Sequence, residues 1–233
     1  MTKESLANEL TKRDIPFTES SLNELVKYMG YILSWNEKVN LTAIKDESAF
    51  LEKMIFDSAL SLTDLDLTNK KVIDVGTGAG FPGMVLYLLN KNIDLSLLDS
   101  TAKKIKIIED YAKENKLNIE CVSDRVENYV KRNREKFDYA FARAVAPLNI
   151  LIELCVPLLK VGGYFLALKG PGFEEEINDS EKALAKLNCS IVKIISDSLP
   201  ESGEARNIIY IQKNKATNNK YPRDYSEIKK LPL

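Results

Sequence analysis

Val72-Ile73-Asp74-Val75-Gly76-Thr77-Gly78-Ala79-Gly80-Phe81-Pro82-Gly83 is the stretch on which the fold turns. A short β-branched apolar run breaks into glycines at alternate positions, and a helix-compatible segment follows. Glycines so placed let the backbone turn tightly and let a ligand approach the main chain, while the following helix points its free N–H groups at the same spot. Pro82 stands where a first helical turn tolerates a missing N–H. Strand, tight turn and helix in this order open a βαβ unit, and they predict a ligand at the carboxyl end of the first strand.

Two ligand classes compete for the loop. Gly78-Ala79-Gly80-Phe81-Pro82-Gly83 matches the dinucleotide pattern of alternating and spaced glycines. Asp74 argues the other way: a carboxylate at the end of the strand repels a pyrophosphate and attracts an ammonium or sulfonium ligand. The balance favours S-adenosylmethionine, with a dinucleotide or a purely structural loop as the alternatives.

Working outward, short apolar runs alternate with amphipathic stretches, the signature of a largely parallel sheet. Strands are expected near Lys71–Val75, Leu95–Asp99, Ile119–Val122, Tyr139–Ala142, Tyr164–Leu168, Ile191–Ile195 and Ile208–Gln212, with helices over Ser100–Lys116, Leu148–Lys160 and Glu174–Leu187. The last two strands have no helix between them and predict an antiparallel hairpin at a sheet edge. The expected fold is therefore α/β, a Rossmann-like, doubly wound seven-stranded sheet of the class I methyltransferase type. Residues 1–65 carry three- and four-residue apolar spacing and read as an N-terminal helical cap, with Thr18 or Ser20 capping its long helix. Residues 66–213 form the catalytic unit, and 214–233, rich in Lys, Asn and Pro, read as a partly ordered basic arm on one integrated domain.

Composition narrows the function. The 233 residues are 45% hydrophobic and 29% charged, with a net charge of −1. A broad positive field for indiscriminate nucleic-acid binding is excluded, so any RNA contact must be a local patch. The three cysteines form no Cys-x-x-Cys pair and histidine is absent, which argues against a zinc site or a His-dependent triad. No run of about 18 apolar residues occurs, and the chain is expected to be cytoplasmic, monomeric, metal-free and without membrane contact.

Several residues follow as site candidates. Asp99, ending the second strand, is placed to accept hydrogen bonds from ribose hydroxyls, or else to cap the next helix. Val126 and Glu127 follow the third strand, where an adenine would rest. Arg143, ending the fourth, can read a guanine edge, bind a carboxylate or form a structural ion pair. No Asn-Pro-Pro-Tyr motif stands there to hold an exocyclic amine. Lys169, in the turn after the fifth strand, and the basic tail with Lys220, Arg223, Lys229 and Lys230 are candidate phosphate contacts, although such clusters are more often solvated faces.

Together these segments resemble one family. Trp35-Asn36-Glu37-Lys38-Val39-Asn40-Leu41-Thr42-Ala43-Ile44, Phe56-Asp57-Ser58, Asp74–Gly83, Leu97-Leu98-Asp99-Ser100, Ala142-Arg143-Ala144-Val145-Ala146, Leu168-Lys169-Gly170 and Tyr221-Pro222-Arg223 are similar in content and order to the bacterial 16S rRNA guanine-N7 methyltransferases (RsmG, formerly glucose-inhibited division protein B). The resemblance implies S-adenosylmethionine as cofactor, 16S rRNA or the small ribosomal subunit particle as partner, and N7 of guanine 527 in the usual rRNA numbering as acceptor. It implies cofactor contacts at Gly76 and Phe81, Val126 and Glu127, and Arg143; Gly78, from the glycine loop itself, and Asp99, on geometric grounds, are added to these. RNA contacts are expected at Lys169, Arg223 and Lys230. One departure is visible: Met54 stands where the family commonly has histidine, so a role for that histidine does not transfer.

Guanine N7 carries an in-plane lone pair and no proton, so its methylation requires no general base, in keeping with a chain lacking histidine. None is assigned; Arg143 is the candidate for ordering the acceptor pocket. The competing expectations are a methyltransferase for a small molecule or protein, and a noncatalytic ribosome-assembly module with a vestigial loop.

Overall fold

The computed structural model describes residues 1–233. Its centre is a seven-stranded sheet built from β1 (Lys71–Val75), β2 (Asp94–Asp99), β3 (Ile119–Ser123), β4 (Phe137–Arg143), β5 (Leu159–Lys169), β6 (Cys189–Ser198) and β7 (Ala205–Lys213). The order is β3-β2-β1-β4-β5-β7-β6; β7 runs antiparallel to both β5 and β6, and the remaining pairs are parallel. Strand order reverses between β1 and β4, which makes that crevice the expected ligand position.

Strand alternation divides the core in two. Val72, Phe141, Leu166, Ile208 and Tyr210 face one apolar cluster, while Ile73, Ala140, Phe165, Ile209 and Ile211 face the other. The first cluster includes the N-terminal helices α1 (Lys3–Lys12) and α2 (Glu19–Asn36), the short α3 (Glu47–Phe50), a π-helical turn Leu51–Phe56, α4 (Asp57–Ala59) and, after the glycine loop, α5 (Gly83–Leu89) and α6 (Ala102–Glu114). The N-terminal helices thus share one core with the sheet. Thr18 caps α2 through a reciprocal capping box with Ser21, whereas Ser20 lies inside the helix.

The second cluster holds α7 (Val126–Asn133), α8 (Leu148–Cys155) and the pair α9 (Phe173–Asn178) and α10 (Glu181–Lys186). Two expected helices differ in extent. The one expected over Leu148–Lys160 ends at Cys155, passes through a 3-10 turn and gives way at Leu159 to strand, which pairs with Phe137. The one expected over Glu174–Leu187 is broken at Asp179–Ser180. The tail also departs from a partly ordered arm: Tyr221, Ile228 and Leu233 are buried in the second cluster, with α11 (Tyr225–Lys230) folded against it. Arg134 fastens it by donating to the carbonyls of Thr217, Asn218 and Tyr221.

Candidate active site

A cleft of about 1150 Å3 opens at the carboxyl ends of β1, β2, β4 and β5. Gly76, Gly78, Phe81, Asp99, Val126, Glu127, Arg143 and Lys169 all line it, so residues spread over nearly a hundred positions meet at one place. Arg223 and Lys230 do not line it.

The glycine loop forms the floor. Gly76 and Gly78 have φ of 72° and 60°, a region that side chains enter at a cost. A Cβ on Gly78 would meet nothing nearer than 4.0 Å, so the main chain there is bare to the cleft. A Cβ on Gly76 would lie 2.5 Å from Val145 Cγ2, because Val145 packs over the loop from the turn after β4. That turn contains Ala144, itself left-handed at φ 54°.

Asp74 is fully buried beneath the loop rather than lining the cleft. Its Oδ2 accepts from Thr77 Oγ1 at 2.6 Å and Gly83 N at 2.8 Å, so it locks the turn to the helix start, while Oδ1 has no partner. Burial raises its pKa to about 6, against the pull of those two donors. The electrostatic argument for a cationic ligand therefore acts through the loop and not by contact.

Asp99 accepts from Gly78 N at 3.0 Å through Oδ2 and from Thr101 N at 2.8 Å through Oδ1. Thr101, not Asp99, occupies the N-cap position of α6. The carboxylate thus ties the loop to the second strand and retains lone pairs on each oxygen. Val126 and Glu127 begin α7 beside it; the Glu127 side chain is 10% exposed, with Arg125 at 3.9 Å.

At the opposite end, Arg143 donates to Asp57 Oδ2 at 3.2 Å and to the Lys53 carbonyl at 3.1 Å, and lies 3.3 Å from Met54 Sδ. Burial draws its pKa down while Asp57 and Asp74 oppose this, and a guanidinium stays charged throughout the working range. Asp57 also takes Arg206 Nε at 3.2 Å through Oδ1, and Arg206 reaches Glu204 at 2.8 Å. Lys53, Met54, Asp57 and Arg206 all line the cleft and were not singled out in the sequence as site residues. Asp57 sits within a motif carrying the resemblance but offers no local sign of its two arginine partners. Arg206 lies on an edge hairpin, where a lone arginine ordinarily reads as surface.

Two residues expected to contact RNA have partners within the chain. Lys169 Nζ binds Glu176 at 2.6 Å and the Ala146 carbonyl at 2.9 Å, and the same Glu176 oxygen accepts from Leu148 N at 2.7 Å. It braces the turn around Pro147. Arg223 pairs with fully buried Glu153 through Nε at 2.8 Å and Nη2 at 2.6 Å, and donates to the Leu231 carbonyl at 3.0 Å. That pairing holds its pKa above the usual value and fastens the tail to α8. Lys230 is exposed. No group of three or more His, Cys, Asp or Glu side chains is arranged to hold a metal ion, and no helix is long and apolar enough to cross a membrane.

Comparison with solved structures places this architecture among known ones. A S-adenosylmethionine-dependent methyltransferase from Aquifex aeolicus aligns with a TM-score of 0.53 at 17% identity, covering 77% of this chain and 98% of that one. The [4+2]-cyclase SpnF aligns with a TM-score of 0.59 at 14% identity, over 85% and 97%. A fold shared with a cyclase fixes architecture and not reaction. Sequence is more specific. A ribosomal RNA small subunit methyltransferase G from Alkaliphilus oremlandii is 44% identical over 224 residues, 94% of each chain. The family model described as GidB, rRNA small subunit methyltransferase G, matches residues 21–208, and the chain belongs to that family.

Proposed function

We infer that the protein transfers the methyl group of S-adenosylmethionine to N7 of a guanine in 16S rRNA, with guanine 527 as the position. The observation that carries this reading is the two-ended cleft: a bare glycine loop with Asp99 and Glu127 at one end, and an Asp57-clamped pair of arginines at the other. The cofactor fits what is present. Gly78 offers uncovered backbone, Asp99 has free lone pairs for ribose hydroxyls, and buried Asp74 has an unpartnered oxygen beneath a site suited to positive charge.

When bound, S-adenosylmethionine supplies an electrophilic methyl group on a sulfonium. The chain's own residues supply binding and alignment, which alone can lower a barrier substantially when the two reactants are held in line. Gly76, Gly78 and Phe81 would hold the cofactor's methionine side, Asp99 its ribose, and Val126 and Glu127 its adenine. Arg143, oriented by Asp57, would order the acceptor end and direct the guanine edge. No proton has to be removed, and the cleft contains neither histidine nor cysteine. The protein acts as a cytoplasmic monomer in this reading, on a ribonucleoprotein particle that presents the loop folded.

Mass-spectrometric mapping of small-subunit rRNA from cells with and without the gene tests it, backed by reduction and aniline cleavage at the modified base. Loss of one N7-methylguanosine is expected. A product at an exocyclic nitrogen would reject the lone-pair mechanism, and no saturable heat on titration with S-adenosylmethionine would favour the noncatalytic alternative.

A further inference from the structure

A second, smaller pocket of about 240 Å3 opens between α10 and the tail, away from the cleft. Its charged lining is Lys182, Lys186, Lys220 and Arg223, with no acidic side chain among the lining residues. Arg223 is neutralised by Glu153. Lys182, Lys186 and Lys220 are exposed and form no salt bridge.

Lysines without an ion pair are common on this chain, but here three of them line one pocket. On α6, Lys106 pairs with Asp110 and Lys113 with Glu109, each one helical turn away. On α10 the turn-spaced residues are instead two lysines, Lys182 and Lys186, a like-charge pair that disfavours the helix. Lys220 then adds a third positive charge from a segment remote in sequence. In a molecule of net charge −1, this concentration of unpaired cations is local.

The patch is also held rigidly. Arg134 binds three carbonyls of the segment carrying Lys220, and Arg223 fastens the next turn to Glu153 and to Leu231. The tail runs from the segment held by Arg134, through Arg223, to Tyr225, which lines the main cleft. A braced segment of the tail therefore connects the pocket to the cleft.

We propose that Lys182, Lys186 and Lys220 form a phosphate-binding pocket that grips the RNA backbone at a point outside the cleft. The proposal rests on the rRNA reading above and adds to it a surface outside the cleft. Three ammonium-bearing side chains lining one pocket suit phosphate oxygens, which need charge and donors rather than a base-reading fork.

The test replaces all three by glutamine and measures binding to deproteinised 16S rRNA and to the small-subunit particle over a salt series. Each lost phosphate contact removes about 0.7–0.9 from the slope of log affinity against log salt. The expected result is a slope shallower by about 2 on both substrates, with S-adenosylmethionine affinity unchanged. An unaltered slope overturns the proposal. A loss confined to the particle, with deproteinised RNA bound as before, also overturns it and points to an acidic protein surface. Thermal stabilisation by inorganic phosphate that disappears in the variant while the RNA slope is unchanged would reassign the pocket to a free anion. The parent's product assay is scored separately: if it forms no N7-methylguanosine, the functional reading fails whatever the lysine variant does.

Discussion

The two ends of the cleft are built in different ways. The end proposed to hold the cofactor is made from one contiguous loop plus strand ends that follow it in order, and its key surface is main chain. The acceptor end is assembled from Lys53, Asp57, Arg143 and Arg206, which come from the N-terminal helices, a central strand and an edge hairpin. A backbone site tolerates few residue types and so leaves a mark in sequence. A side-chain network is specified by distant partners, and no window of sequence contains it.

The largest expected effect tests the backbone end. Gly76→Asp should abolish detectable S-adenosylmethionine binding and also destabilise the protein by about 1–3 kcal/mol, because the residue has a positive φ and its Cβ would strike Val145. Adding Val145→Ala should recover part of the melting temperature and none of the binding. Recovery of binding by the double variant would show that the loop's shape, not its bareness, is what the ligand needs.

Next comes the tail. Arg223→Ala leaves Glu153 buried without its partner, and breaking such a pair costs about 3–5 kcal/mol in fully buried settings. Arg223 is 21% exposed, so about 2–3 kcal/mol is expected, read by denaturant unfolding. The salt dependence of RNA binding by the remaining folded protein should barely move. A normal melting temperature with a shallower salt slope would return Arg223 to the RNA surface.

These contrasts show what was legible in the sequence. The seven strands, the edge hairpin and the glycine loop could be read because period-two apolar patterns and glycine positions are local properties. The ion pairs of Lys169 and Arg223 were not legible, because a basic residue near a ligand site looks the same in sequence whether it meets phosphate or a carboxylate. Their partners, Glu176 and Glu153, become visible only once α9 and α8 are packed. The tail looked loose because it is polar by composition, although Tyr221, Ile228 and Leu233 give it three buried anchors. The break between α9 and α10 and the early start of β5 at Leu159 did carry local signs, Asn178-Asp179-Ser180 and Pro157, while pairing with Phe137 fixes where the strand begins.

Asp74 links the two ends through charge, and its titration separates holding the loop from attracting the ligand. Its folded pKa of about 6 lies above the ordinary 3.8, so the native state binds the proton more tightly than the unfolded chain. The stability from this group is complete below about pH 4 and is lost as pH rises through 6, a cost of roughly 3 kcal/mol once ionised. Asp74→Asn can still accept from Thr77 and Gly83 through its carbonyl oxygen. Relative to the parent, the variant should therefore gain stability between pH 4 and pH 7, measured by urea unfolding across that range. Its affinity for S-adenosylmethionine at pH 7.5 should fall about tenfold while that for the neutral thioether product falls less, since only the sulfonium gains from the buried charge. Equal losses for both ligands would leave Asp74 as a loop brace alone.

The smallest effect concerns Asp99, where a simple deletion would mislead. Asp99→Ala removes a ribose acceptor but also leaves Gly78 N and Thr101 N without their carboxylate, so weaker cofactor binding by about 1–3 kcal/mol would follow from either cause. The two are separated by pairing the variant with a ligand change. S-adenosylhomocysteine and its 2′-deoxy analogue are titrated into the parent and into Asp99→Ala. If Asp99 accepts from the ribose hydroxyl, the parent should prefer the hydroxylated ligand by about 1–2 kcal/mol, and the variant should lose most of that preference. The coupling between residue and hydroxyl then measures the contact free of any loosening of the loop, which weakens both ligands alike. A variant that binds more weakly yet keeps the parent's full preference would place the ribose elsewhere and leave Asp99 as the tie between the glycine loop and the second strand.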